Sequence, residues 1–224
     1  MPTIPLALSI AFIATTLITV LLFYKATANN KTILIVILAW LAIQSIPALK
    51  GFYANTEAAP PRFLLAVAPA VVAVLLVSLF SSAVFINTIN LQRLTLLHII
   101  RIPVELVLLY LFHYKAIPQI MTFEGRNWDI LSGITAPIVY YFVFIKRILS
   151  SKWLLWWNVV GLLLLLNIVS IALLSAPFRF QQLGFEQPNV AVLYFPFIWL
   201  PCCVVPIVLF SHLVAIKKLT KQSL

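Results

Sequence analysis

Between Leu94 and His113 an otherwise apolar stretch carries Thr95, His98, Arg101, Pro103, Glu105 and His113. At the angular step of an α-helix, Thr95, His98, Arg101, Glu105, Phe112 and His113 fall within an arc of roughly 120°, so the ionisable groups share one face. An arginine or an acid near the centre of a bilayer costs about 2.5 to 3.5 kcal/mol on insertion scales. That face is therefore expected to point into a helix bundle or a hydrated cavity. Two readings follow. In one, Arg101 and Glu105 form a structural ion pair that fixes packing. In the other, Glu105 is a proton or cation site whose proton affinity reflects both burial and Arg101, and His98 relays protons, because imidazole titrates nearest neutrality. Arginine before glutamate at i,i+4 is the poorer order for a pair within one helix, which leaves room for partners elsewhere. Pro103 donates no backbone hydrogen bond and so frees the carbonyl of Ile99.

Further chemistry lies on other segments. Asp129 opens a run containing Ser132, Gly133, Ala136 and Tyr140 on the same face, and its position suits the cap of a helix N-terminus. The small residues would admit a close neighbour, expected to be the helix that carries Glu105. Asp129, Arg126 and His113 would then line a vestibule above Glu105. The last apolar run holds Pro196, Pro201 and Pro206 at intervals of five, a pattern expected to bend the helix and permit gating. Gln44, Pro47, Ser78, Ser82, Asn158 and Asn167 are read mainly as interhelical hydrogen-bonding groups.

Redox and metal chemistry find less support. A bis-histidine haem could use only His98 and His212, since His113 lies in the opposite leaflet from His98 on the same helix. No cluster of His, Cys, Asp and Glu has metal-ligand spacing, no cofactor is expected, and the last span has no interior lysine for a retinal Schiff base. Cys202 and Cys203 are adjacent, a spacing that strains an ordinary disulfide. Walker, Rossmann, zinc-protease and haem-attachment motifs are absent, as are visible repeats.

The elements that must position these groups are membrane helices. Of 224 residues, 63% are hydrophobic and only 9% charged, too few charges to clothe a fold in water. Apolar runs long enough to cross about 30 Å of hydrocarbon extend over 4–24, 32–49, 63–86, 94–114, 130–145, 153–175 and 190–216. They are continuous rather than alternating, which selects helices over a barrel. The expected fold is an all-α, polytopic bundle of about seven spans forming one integral domain over 1–224, with no soluble domain. The first run lacks the features of a cleaved signal peptide and is expected to stay as a helix.

Orientation follows from the basic residues. With the C-terminus in the cytoplasm, that side holds Lys25, Lys31, Arg93, Lys146, Arg147, Lys152, Lys217, Lys218 and Lys221. The other side holds Lys50, Arg62, Lys115, Arg126 and Arg179. The N-terminus is then outside. The formal net charge of +10 acts as an insertion signal and a lipid-headgroup contact rather than a nucleic-acid surface. Trp128, Trp153, Trp156 and Trp157 are expected at membrane borders.

Arg101 with Glu105, then Pro118, Gly125, Asp129-Ile-Leu-Ser-Gly133 and Ala136-Pro137, form a pattern over about 45 residues. It resembles that of a group of small bacterial inner-membrane proteins. The resemblance implies a multi-pass protein of the bacterial inner membrane and carries no activity with it. From the residues themselves the expected role is permeation or transport of a small solute or ion, coupled to protonation of Glu105. Two alternatives stay open: a membrane-embedded haem protein or enzyme, and a non-catalytic accessory subunit. The lipid bilayer and a small solute are the expected partners, with a homo-oligomer or a partner subunit also admitted.

Overall fold

A computed structural model describes residues 3–222. Among them every regular element is helical. The helices are α1 (Leu6–Ala26), α2 (Lys31–Leu49), α3 (Leu64–Phe80), α4 (Ala83–Thr88), α5 (Leu91–Leu97), α6 (Arg101–His113), α7 (Ile130–Tyr140), α8 (Ser151–Leu174) and α9 (Val205–Gln222). Five stretches are long and apolar enough to cross a membrane: Leu6–Ala26, Lys31–Leu49, Leu91–His113, Ser151–Leu174 and Leu200–Lys221. Leu64–Phe80 and Ile130–Ile145 are apolar but shorter.

Around an apolar core the surface is itself apolar, unlike that of a protein that folds in water. Large apolar side chains such as Leu6, Ile35, Leu49, Phe80 and Trp156 stand exposed around the outside. Arg101, Glu105, Asp129, His98 and His212 are buried inside. The hydroxyls of Thr15, Thr16 and Thr19 on the buried face of α1 donate to carbonyls one turn back, at Ala11, Phe12 and Thr15, so polar side chains are satisfied within the helix. Aromatic pairs tie α1 to the C-terminal part of the chain, Phe12 to Phe197 and Phe23 to Phe210, each with ring centroids 5.3 Å apart.

Three of the expected spans are interrupted. The run over 63–86 breaks at Ser81 and Ser82, where the Ser82 hydroxyl caps α4 by accepting from the amide of Phe85. The run over 94–114 is α5 and α6 joined by a 3₁₀ turn, His98–Ile100. That tightening ends three residues before Pro103, which has no N–H to give to the carbonyl of Ile99 within the turn. The run over 190–216 is helical only from Leu200. Its first ten residues form a 3₁₀ turn at Ala191–Leu193 and further turns, and Leu200–Val204 is a π-turn leading into α9.

Pro196 therefore precedes the helix, Pro201 sits in the π-turn and Pro206 in the first turn of α9. Pro206 cannot donate to the carbonyl of Cys202 four residues earlier. The Trp40 indole N–H of α2 takes that carbonyl at 3.0 Å. The Trp199 indole binds back to the carbonyl of Leu41 and the hydroxyl of Ser45. Two indoles thus clamp the π-turn to α2.

Basic residues close one end of the bundle. Lys217 Nζ donates to the carbonyls of Ser78 and Leu79 at the end of α3, and Lys218 Nζ to those of Asn87 and Ile89. Arg93 donates to the carbonyl of Lys25 at the end of α1. Cations there satisfy helix C-terminal carbonyls and meet the negative ends of helix dipoles.

At the opposite end, the segment from Ala116 to Asp129 folds back into the bundle. Asn127 reaches Glu105, which lies eight residues before the end of α6, about 12 Å along the helix. The carbonyl of Arg126 accepts from Asn167, seven residues inside the end of α8. The fold-back fills the space beside α6 that α7, beginning only at Ile130, does not occupy.

Candidate functional site

Four stretches of chain meet at a buried polar cluster: the 3₁₀ turn with α6, the fold-back segment with the start of α7, the middle of α8, and α9. The fold-back sets the cluster. Met121, Thr122 and Asn127 are buried within it, and local amide bonds from Gly125 and Asn127 to the carbonyl of Thr122 hold it as a compact loop. Gly125 has no space for a side chain, because a β-carbon there would run into the backbone of Gln119 and Ile120.

Glu105 is held by Asn127. The amide nitrogen Nδ2 donates to both carboxylate oxygens, at 2.6 and 2.7 Å, and to the carbonyl of Met121 at 3.0 Å. Arg101 turns instead to Asp129, with Nη1 to Oδ1 at 2.6 Å. Its Nη2 lies 2.8 Å from His212 Nε2. The expected pairing of Arg101 with Glu105 is thus replaced by two separate contacts, because α7 delivers a second carboxylate to the guanidinium and the loop delivers a neutral amide to Glu105.

A guanidinium only donates, so His212 Nε2 accepts from Arg101 and its Nδ1–H donates to Asn158 Oδ1 at 3.0 Å. Asn158 Nδ2 in turn donates to the carbonyl of Leu154, which orients the amide to receive the imidazole. His98 stacks on His212 with centroids 4.1 Å apart and planes 22° apart, and the Trp157 ring stands edge-on to His98 at 5.3 Å. Two buried atoms of the cluster, His98 Nδ1 and Arg101 Nε, have no hydrogen-bond partner.

Small residues make this convergence possible. A β-carbon on Gly133 would lie 3.0 to 3.2 Å from Ile102 and Arg101, so α7 approaches the α6 backbone as the stripe of small residues anticipates. A β-carbon on Gly161 would lie 2.6 Å from His212 Cε1. The second glycine gives the imidazole its seat against α8.

Of the residues picked from the sequence, His98, Arg101, Glu105 and Asp129 are brought together, with Pro103 between them on the same helix. Asp129 occupies the cap position of α7 but makes no capping bond, since its carboxylate is engaged by Arg101. Arg126 and His113 do not join the cluster. Both are exposed, so the expected vestibule above Glu105 is replaced by the packed loop. Trp157 is half-buried, its indole donating to Thr135 Oγ1. Trp128, Trp153 and Trp156 are exposed.

His98 and His212 present ring faces to each other at contact distance, with no gap for a porphyrin between them. Among the described residues no group of three or more His, Cys, Asp or Glu could hold a metal ion. Cys202 and Cys203 are buried free thiols. Asn127 went unmarked in the sequence, and Asn158 and His212 were not connected to Arg101. The signal that could have found Asn127 is its place two residues before Asp129, which places both on the approach to α7.

An all-helical bundle with an apolar exterior and a buried ionic cluster is the class that fold and site define. Residues 60–220 match the family described as a domain of unknown function, DUF8737, and the chain belongs to that family. The matched stretch contains every residue of the polar cluster and leaves out α1 and α2. No curated protein and no solved structure matches the chain.

Proposed function

We propose that the chain is a seven-span protein of a cytoplasmic membrane, N-terminus outside, which moves a small solute or ion with coupling to protonation of Glu105. The observation that carries this reading is the charge count of the buried cluster, one arginine to two carboxylates. Asp129 takes the guanidinium. Glu105 receives only the neutral amide of Asn127. A carboxylate in a dry interior needs its charge matched, by a proton in one state of the cycle and a cation in another.

Arg101 supplies the second state. It lies one turn from Glu105 on the same helix and has an unpartnered Nε. When Glu105 releases its proton, Arg101 swings from Asp129 and His212 toward it, and Asp129 takes up charge compensation from the solute side. The π-turns at Tyr141–Ile145 and Leu200–Val204 and the 3₁₀ turn at His98–Ile100 are the irregular segments where such helices can shift. All five ionisable residues of the cluster are buried, so proton release and uptake require that movement. Pro201 and Pro206 belong to the gating element, while Pro196 lies ahead of it.

The test is proton flux into vesicles of reconstituted protein, driven by a potassium diffusion potential and read with an internal pH dye. Wild type should dissipate the gradient and Glu105→Gln should retain a tenth or less of that rate while eluting as the same folded species. Equal flux in both would end the proposal. A structural role is the second reading, favoured by the complete bonding of Glu105 to Asn127; it requires that Glu105→Gln leave flux unaltered and lower only the stability.

A further inference from the structure

A lateral groove of about 580 Å³ lies between α2 and α3, away from the polar cluster. It exists because the two helices lean apart: α2 packs on α1 and the π-turn, and α3 packs on α9 and the same π-turn. Its walls are apolar, with Ile33, Trp40 and Ile43 on α2, Ala73 and Val77 on α3, and Cys203 on the floor. The indole of Trp40 has its N–H occupied by the carbonyl of Cys202, so the groove offers almost no polar group to a ligand.

Its length and its mouth point to one occupant. Ile33 and Ile43 are ten residues apart, about 15 Å along a helix, which is half the hydrocarbon thickness of about 30 Å. The groove is one leaflet deep. It starts at the basic end of the bundle, where Lys217, two turns past the lining residue Phe210 on the same face of α9, sits on the carbonyls of Ser78 and Leu79 just past Val77. Lys25, Arg93 and Lys218 cluster at the same end. The five acids of the chain, Glu57, Glu105, Glu124, Asp129 and Glu186, all lie elsewhere in the sequence, so no carboxylate on the neighbouring helix ends offsets these cations.

We propose that this groove binds one acyl chain of an anionic phospholipid, with the phosphate held at the basic end of the bundle beside Lys217. The inference rests on the membrane placement proposed above and is independent of what Glu105 does. A bound tail would pack against the groove-facing side of the π-turn and steady the clamp formed by Trp40 and Trp199.

Native mass spectrometry of the full chain in mild detergent tests it, with phosphatidylglycerol or phosphatidylcholine added at equal concentration. Wild type should retain one phosphatidylglycerol in preference to phosphatidylcholine. Lys217→Gln should weaken that preference about 5-fold, the effect of one lysine beside an anionic headgroup. Ala73→Trp, which fills the groove, should remove retention of both lipids. Equal retention of the two lipids by wild type, or unchanged retention by Ala73→Trp with Lys217→Gln equal to wild type, overturns the proposal. Carbonate washing of membranes separates the two failures: a chain released by the wash refutes the membrane placement itself, whereas one that resists it and shows no lipid preference refutes only the groove.

Discussion

Replacing Asp129 by asparagine preserves the shape of the side chain and removes the charge that faces Arg101. The carboxylate accepts from Nη1 at 2.6 Å, and the two side chains are 2% and 8% exposed, so water cannot readily take the place of the lost partner. The guanidinium would be left with an amide, the imidazole of His212 and a long 3.5 Å approach to the carbonyl of Gly161. Removing one member of a buried ion pair costs about 3 to 5 kcal/mol. The substituted amide retains an acceptor, which places the expected loss near the lower figure, about a hundredfold in the folding equilibrium. A neutral interhelical hydrogen bond in a membrane protein averages only about 0.6 kcal/mol, so the two cases are separable. Reversible unfolding in mixed micelles, titrated with a denaturing detergent and followed by tryptophan fluorescence, supplies the measurement. The double variant Arg101→Met with Asp129→Leu should recover much of the loss, because apolar replacement of both members of a pair is close to neutral. A loss in Asp129→Asn no larger than that of a neutral hydrogen bond, or a double variant no more stable than the single, would refute the claim that the pair is dry and mutually compensating.

Gly161→Ala should displace His212, since the added methyl would lie 2.6 Å from Cε1 and 3.0 Å from Nε2; overpacking of this kind costs about 1 to 3 kcal/mol and should appear as a lowered unfolding midpoint. Tyr53→Phe removes the hydroxyl that donates to Gln44 Oε1 and strands a buried acceptor, a loss of about 1 to 3 kcal/mol in the same unfolding assay, with no change in proton flux.

Much of the cluster could be read from the run over 94–114 alone because its signal is angular. His98, Arg101 and Glu105 recur at three- and four-residue steps, and any helix through them puts the three on one side. Gly133 and Ala136 were equally legible, since small residues on a face mean a close neighbour whatever that neighbour is. The pairing was another matter. Arg101 has an acid within reach along its own helix and chooses one 28 residues away, a preference set by how deep α7 begins. Spacing along one helix carries no information about that depth. Asn127 escaped for a related reason: a neutral amide in a Gly- and Arg-containing loop looks solvated, and only the fold-back of that loop buries it.

That fold-back follows from a mismatch in length. The helical stretch Ile130–Ile145 consists of α7 and a five-residue π-turn, shorter than its neighbours α6 with α5 or α8, so a full-depth slot beside α6 would be left partly open. In the membrane placement proposed above lipid could not fill it, because Glu105 and Arg101 line it; water could, at the cost of hydrating a cavity inside the bundle. The chain fills it with its own loop, and irregular backbone at that depth is tolerable only because protein surrounds it. Asn127 then supplies Glu105, and Asp129 supplies Arg101, from two consecutive alternate positions just ahead of one helix. Any movement of α7 must therefore break both contacts at once. That coupling is what makes the pair of acids a candidate for exchange rather than two independent anchors, and it requires that Asn127→Ala impair flux as strongly as Glu105→Gln.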